Sequence, residues 1–325
     1  MNTLGQHLTF TSFGESHGAA IGGVLDGVPA GIHIDMSLIR NALDRRAGKT
    51  LTITTGVSPR AKNERDEVEW LSGVMDGITL GTPIAFLIRN SDAHSEDYEW
   101  LRHSYRIGHA DYTYQTKYGI RDWRGGGRAS ARETAARVVA GALAQQLLSQ
   151  RGISIHAELV QVGDNNDPAS FNEYIQQIQR SGDSIGGIVR CTITGVPAGV
   201  GEPIFDKLQS HLAYAMMSIN ACKGFDYGSG FADIDKRGSE MFIPDAPTRL
   251  QTGGIAGGIT DGTPITFRCV FKPTPSALKT LTQLSPDAPH TGRFDACVAV
   301  RAVPIVEAMA ALVLEDMMQD ISLPQ

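Results

Sequence analysis

Gly77-Ile78-Thr79-Leu80-Gly81-Thr82-Pro83-Ile84-Ala85-Phe86 returns in the second half of the chain as Gly258-Ile259-Thr260-Asp261-Gly262-Thr263-Pro264-Ile265-Thr266-Phe267. Each copy joins a glycine-punctuated turn to a β-rich run, which predicts a hairpin feeding a strand. Upstream of each copy stands a second matched pair. Ile21-Gly22-Gly23-Val24 leads to Gly27-Val28-Pro29-Ala30-Gly31, and Ile185-Gly186-Gly187-Ile188 leads to Gly195-Val196-Pro197-Ala198-Gly199. Gly, Pro and Thr are common in turns everywhere, so one short match would mean little. Two matches in the same order predict duplicated halves, roughly 1–125 and 150–325, within a single domain over 1–325.

Each half reads as strand, Pro-Gly turn, helix and hairpin. Residues 37–45 have helical spacing (Leu38, Ile39, Ala42, Leu43), and 203–217 reads as a helix with Pro203 in its first turn. Residues 84–88, 185–196 and 265–271 are β-rich. Between the halves, 131 to about 150 is a long helix whose apolar residues are small (Ala135, Ala136, Val139, Ala140). The final helix, 302 to about 318, is similar. Small side chains let such helices approach closely and be buried on several sides. The predicted class is α+β, with central helices covered by strands from both halves.

Composition narrows the function. The chain has 325 residues, 42% hydrophobic and 20% charged, with a net charge of −6. That balance argues against a general nucleic-acid binder, so clustered cations are expected to serve a small anion. The four cysteines are widely spaced and form no C-x-x-C pair, which points away from a zinc ribbon or redox motif and toward reduced thiols in the cytoplasm. Residues 1–26 lack a basic stretch followed by an apolar run, so no signal peptide is expected. No apolar stretch suffices for a membrane span.

Several motifs could carry chemistry. In Arg124-Gly125-Gly126-Gly127-Arg128-Ala129-Ser130-Ala131-Arg132-Glu133-Thr134, Ser130 and Glu133 are spaced as a capping box, which predicts a helix from about Ala131. Arg128 and Arg132 sit where a helix dipole disfavours cations, unless an anion lies among them. The alternative is a solvated cap whose glycines only shape a turn. Phe13-Gly14-Glu15-Ser16-His17-Gly18 sets a hydroxyl beside an imidazole, a proton donor near neutral pH. No G-x-S-x-G accompanies it, so a hydrolase triad is not indicated. Its alternative is a loop serine beside a hydrogen-bonded histidine. His109 lies beside Arg106 among aromatics. Lys272-Pro273-Thr274-Pro275-Ser276 is a rigid polar loop suited to a phosphate, or simply a strand edge ended by prolines. Arg293 and Asp295 precede the last helix, as an ion pair or as a base beside an anion site. No metal, Walker or Rossmann motif occurs.

Together these motifs resemble the chorismate synthase family over nearly the whole chain. The blocks GESHGAAIGGVLDGVPAG at 14–31, GHADYTYQTKYGIRDWRGGGRASARETAARVVAGAL at 108–143 and GRFDACVAVRAVPIVEAM at 292–309 carry the likeness, supported by SINACKG at 218–224, GGIAGG at 253–258 and KPTPS at 272–276. The resemblance implies a β-α-β sandwich and a shikimate-pathway lyase. That enzyme would convert 5-enolpyruvylshikimate 3-phosphate to chorismate and phosphate by 1,4-anti elimination. It implies reduced FMN, with NADPH as a candidate reductant, and a homotetramer with no nucleic-acid or membrane partner. By the same resemblance, His17 is the acid beside the leaving phosphate, and His109 controls flavin protonation. Asp295, with Ser16 as a relay, helps remove a flavin proton. Arg45, Arg46, Arg106 and Arg132 would contact substrate. Arg128, Ala129, Ser130, Asn220, Ala221, Gly257, Lys272, Pro273, Thr274, Pro275, Ser276 and Arg293 would hold FMN.

Departures from the family pattern include Ala129 for the usual Ser, Phe294 for His or Ser, Ala296 for Pro, His94 for Arg and Ile107 for Pro. The arginine expected after Gly48 is absent, with Lys49 or Arg60 as substitutes. The altered stretches 47–65 and 90–95 motivate a second reading, a non-catalytic flavin- or anion-binding paralogue.

Overall fold

The repeated segments build the same small sheet twice. The computed structural model describes residues 1–49, 53, 56–58, 66–91, 95–275, 277–284 and 294–319. In the first half, β1 (Thr3–Leu4), β2 (Thr9–Phe13), β3 (Ala20–Asp26), α1 (Met36–Arg46) and β4 (Val68–Trp70) precede a hairpin of β5 (Val74–Met75) and β6 (Ile78–Thr79). Then come β7 (Ile84–Arg89), a 3₁₀ segment over Ser95–His103, α2 (Asp111–Tyr118) and the long α3 (Thr134–Gln150). The second half runs β8 (Ser154–Val162), α4 (Phe171–Arg180), β9 (Gly187–Thr194), α5 (Leu208–Met217) and β10 (Cys222–Tyr227). It continues with a hairpin of β11 (Ile255–Ala256) and β12 (Ile259–Thr260), then β13 (Ile265–Phe271), α6 (Leu278–Leu284) and α7 (Ala299–Met318). The first sheet has the order β1-β2-β3-β7-β4 and the second β10-β13-β9-β8, every pairing antiparallel. Read in chain order, β2-β3-β7-β4 and β8-β9-β13-β10 are the same topology.

The echoed threonine has one job in both halves. Thr79 Oγ1 donates to the Pro29 carbonyl at 2.6 Å and accepts from the Ile32 amide at 2.9 Å. Thr260 Oγ1 donates to the Pro197 carbonyl at 2.6 Å and accepts from the Val200 amide at 2.9 Å. A hydroxyl can do both at once, so each hairpin locks the Pro-Ala-Gly turn that follows the central strand of its half.

Helices α3 and α7 form the middle layer. They pack on one another, α3 also on β3 and α7 on β8 and β9. The small residues permit this. A Cβ at Gly141 would fall 2.3 Å from the Ala308 Cβ, so the two helices meet at backbone distance there. The side chains of α7 are buried from Ala299 to Asp316. Sheet, helices and sheet give the expected α+β sandwich.

Three helix starts differ from the sequence expectation; the last helix begins at Ala299, three residues before 302. Helix α3 begins at Thr134, after separate 3₁₀ turns at Gly127–Ala129 and Ala131–Glu133. Ser130 accepts from the Arg132 amide at 3.3 Å, and Glu133 turns forward to pair with Arg137. The reciprocal half of a capping box is therefore not made. Likewise α5 begins at Leu208 rather than near Pro203, because Lys207 before it is extended (φ −61°, ψ 135°).

Candidate functional site

The link between β2 and β3 is a tight turn. The Gly18 amide donates to the Glu15 carbonyl at 3.0 Å, which leaves Ser16 and His17 as the two central residues. Both are buried. Ser16 Oγ donates to the Gly125 carbonyl at 3.2 Å and lies 3.1 Å from His17 Nδ1. A hydroxyl has one proton, and Ser16 gives it to Gly125, so Nδ1 of His17 carries the hydrogen toward Ser16. The His17 and Tyr98 rings meet in a T-shaped contact, with centroids 4.9 Å apart.

The glycine run is explained by what lies against it. Gly125 has φ +61°, and a Cβ there would fall 1.9 Å from the His17 ring. Gly126 has φ +89°, and a Cβ there would fall 2.6 Å from Arg106 Nη2. One glycine makes room for the imidazole and the next for the guanidinium. Arg106 is in turn held by Asp111, through Nε at 2.9 Å and Nη2 at 2.7 Å. Burial alone would raise the Asp111 pKa, but Arg106 holds it below the usual carboxylate value.

A cavity of about 550 Å³ opens beside this run. His109 is on its wall, with a pKa lowered to about 4 by burial and by the charges of Arg106 and Lys272, against a smaller opposing effect of Asp111. His109 is therefore neutral at pH 7, and its Nε2 is buried without a protein partner. Across the wall, Asn220 Nδ2 donates to the Ala129 carbonyl at 2.9 Å, while its Oδ1 is also buried and unpartnered. Unpartnered polar atoms on two residues that line one cavity suit a polar ligand. Two wall cations, Arg128 and Lys272, are bonded to neutral oxygens: Ser12 Oγ at 2.6 Å and the Gly108 carbonyl at 3.3 Å. Among the described residues no carboxylate forms an ion pair with either, which suits an anion. Among the described residues, no three His, Cys, Asp or Glu side chains gather as metal ligands.

A family profile described as Chorismate synthase matches residues 8–319. A protein of Christiangramia forsetii named chorismate synthase is 46% identical, over 97% of this chain and 96% of its own length. One from Parabacteroides distasonis with the same name is 46% identical, over 97% of each. A solved structure titled "Crystal Structure of Chorismate Synthase" superposes with a TM-score of 0.74 at 30% identity, covering 97% of this chain and 93% of that one. The chain belongs to the chorismate synthase family.

Of the residues that the chorismate synthase resemblance singles out, Arg106, His109, Arg128, Ala129, Ser130, Asn220 and Ala221 border the cavity, as do Lys272, Thr274, Pro275 and Asp295. Ala221 reaches it in a left-handed conformation (φ +66°). Asp295 is fixed at both oxygens, by the Ser58 amide at 2.8 Å and Arg301 Nη1 at 3.1 Å. Ser16 and His17 sit directly behind Gly125, itself a wall residue. Ser16 hydrogen-bonds His17 and Gly125; no bond to Asp295 is formed.

Other assignments lie elsewhere. Arg45 makes a two-pronged bond to Glu307 at 2.6 and 2.9 Å, and Glu307 also takes the Ala157 amide at 2.8 Å. Arg46 is fully buried, bonded to Thr134 Oγ1 and the Ala131 carbonyl at 3.0 Å each and paired with Asp66. Both brace α3 and α7, and neither borders the cavity. Arg132 pairs with Asp66 and bonds Asn90 at 3.0 Å. Gly257 is at the β11–β12 turn, and Pro273 turns toward Gly186; neither borders the cavity. Ser276 and Arg293 lie outside the described residues, as do Arg60 and His94. Sequence reasoning missed Asp66, Asn90, Asp111 and Arg301. Asp111 and Arg301 stood within quoted blocks and Asn90 opens the altered 90–95 stretch, but their partners, like those of Asp66, are set by the fold.

Proposed function

We propose that the protein converts 5-enolpyruvylshikimate 3-phosphate to chorismate and inorganic phosphate, as a carbon–oxygen lyase of the shikimate pathway leading to aromatic amino acids. Membership of the family supports the activity. The observation that carries the site assignment is the pairing of uncompensated Arg128 and Lys272 with two orphaned polar atoms, His109 Nε2 and Asn220 Oδ1, on one wall.

The reading divides the work as follows. Arg106, pre-aligned by Asp111, offsets the negative charge of the substrate. By the family resemblance Arg132, braced by Asn90 and Asp66, is a further substrate contact. His17, held through Nδ1 by Ser16, is the general acid that gives a proton to the leaving phosphate. Such proton donation is typically worth about 10²–10⁴-fold in rate. Arg128, Ala129, Ser130, Asn220, Ala221 and the 272–275 loop would hold FMN. Reduced FMN, when bound, supplies electron density to the reacting system with no net redox change. His109 enters this scheme neutral; an anion that offsets Arg106 and Lys272 raises its pKa and lets it hold a proton near the ligand. Asp295, immobilised by Ser58 and Arg301, is the wall carboxylate available to hold another. The finer parts of the reading are FMN as the specific flavin, NADPH as its reductant, a cytoplasmic homotetramer, and one domain of duplicated halves. No helix among the described residues is long and apolar enough to cross a membrane.

An anaerobic assay with pre-reduced FMN tests the proposal, followed by one with NADPH and oxidised FMN. Chorismate should form in the first. Folded protein that binds both FMN and the phosphorylated substrate yet yields no chorismate would defeat it.

A further inference from the structure

Asn90 stands directly after β7, and its side-chain amide spends all its hydrogen-bonding groups on two site segments. Nδ2 donates to the Glu15 carbonyl at 3.0 Å and to the Gly18 carbonyl at 2.9 Å. These are the first and last residues of the turn that Gly18 N–H to Glu15 O closes. One amide therefore grips both ends of a four-residue turn whose middle is Ser16 and His17. The backbone amide of Asn90 adds a bond to the Ala19 carbonyl at 3.2 Å. At the other end of the side chain, Oδ1 accepts from Arg132 Nε at 3.0 Å. The partners fix which end is which, because two carbonyls demand the NH₂ and a guanidinium demands the oxygen. Arg132 is immobilised from its far side as well, by Asp66 and by the Arg89 carbonyl at 3.3 Å.

We propose that Asn90 is a positioning residue, which holds the Ser16–His17 turn at a fixed offset from Arg132. The inference rests on the reading of His17 as the general acid. Asn90 touches no reacting atom; it acts through the imidazole. Donor placement within a fraction of an ångström governs proton transfer and alignment, so a loosened turn costs rate more than binding.

Asn90→Asp is the sharpest probe. It keeps the size of the side chain and the oxygen facing Arg132, and it replaces both N–H donors with lone pairs facing the Glu15 and Gly18 carbonyls. Turnover with reduced FMN is measured for the wild type, Asn90→Asp, Asn90→Ala, His17→Ala and His17→Ala/Asn90→Asp, with FMN titration of each to verify folding. Asn90→Asp is expected to lower kcat by roughly 10- to 100-fold, with KM for substrate and the FMN dissociation constant within about threefold. The double variant is expected to be no slower than His17→Ala alone, within about twofold, because the two changes remove the same function. Multiplicative losses in the double variant, a rise in KM without a fall in kcat, or wild-type turnover in Asn90→Asp would each overturn the proposal. His17→Ala at wild-type turnover would instead remove the acid on which it rests, and that failure is visible without any Asn90 variant. If Asn90→Ala does not fold, the isosteric Asp variant completes the cycle.

Discussion

The two halves of the molecule share a sheet order and a threonine lock, yet they differ where their first two long strands are joined. In the first half the link is residues 14–19, a turn that presents Ser16 and His17 to Gly125. In the second half the link is residues 163–186, which carries α4 and buries Phe171 and Ile175 in the core. One copy of the hairpin spends its connection on chemistry, the other on packing. The repeated parts are those that need a fixed backbone: paired strands, the Pro-Ala-Gly turn and the Thr79 or Thr260 hydroxyl. Function sits on the connections, which can vary without disturbing the scaffold.

The largest effect expected from breaking this division is in the first-half turn. His17→Ala should reduce turnover by about 10²–10⁴-fold while FMN binding persists. Loss of FMN binding with no separate loss of turnover in saturated enzyme would contradict the acid role.

His109 provides a second difference, read as stability against pH. Its folded pKa of about 4 lies below the ordinary histidine value, chiefly through burial. The unfolded chain therefore binds the proton more readily between about pH 6.5 and 4. The stability held above pH 6.5 should fall as pH is lowered through that window, by on the order of 3 kcal/mol. Denaturant titrations of the wild type and His109→Asn at pH 7 and 4.5 measure it. Equal losses in the two proteins would show that another group is responsible.

Gly125→Ala should follow in size. It forces a Cβ into the His17 ring at a backbone angle of φ +61°, costing roughly 1–3 kcal/mol and slowing turnover as His17 is displaced. A variant that is destabilised but fully active would separate the glycine from the imidazole.

The smallest effect tests the likeness of the halves. Thr79→Val and Thr260→Val each strand one amide and one carbonyl, worth about 1–3 kcal/mol. If the locks are equivalent, the two losses agree within about 0.5 kcal/mol, inside the usual scatter of such comparisons. A large inequality would break the correspondence between the two sheets.

Much of the scaffold was legible because its signals are local. The repeated Gly-Ile-Thr segments, the Pro-Ala-Gly turns and the small-residue helices all state their geometry within a few positions. Helix onset was less legible. Residues 131–133 form a 3₁₀ turn because Glu133 is drawn forward to Arg137, a choice that the S-x-x-E spacing does not reveal. The site divides in the same way. His109, Gly125 and Gly126 border one cavity, and His17 lies against Gly125 behind its wall. Arg45 and Arg46, which the family resemblance offers as substrate contacts, are bonded to Glu307 and Asp66, and no spacing rule reaches that far along the chain.

The contact between Gly141 and Ala308 has a consequence at a distance. It fixes the spacing of the two middle helices, since only the Ala308 methyl lies between their backbones there. Arg46 is bonded at the entrance of one helix and Arg301, which steadies Asp295, near the entrance of the other. A single methyl group at 141 would wedge these entrances apart and detune a catalytic chamber whose walls it never meets.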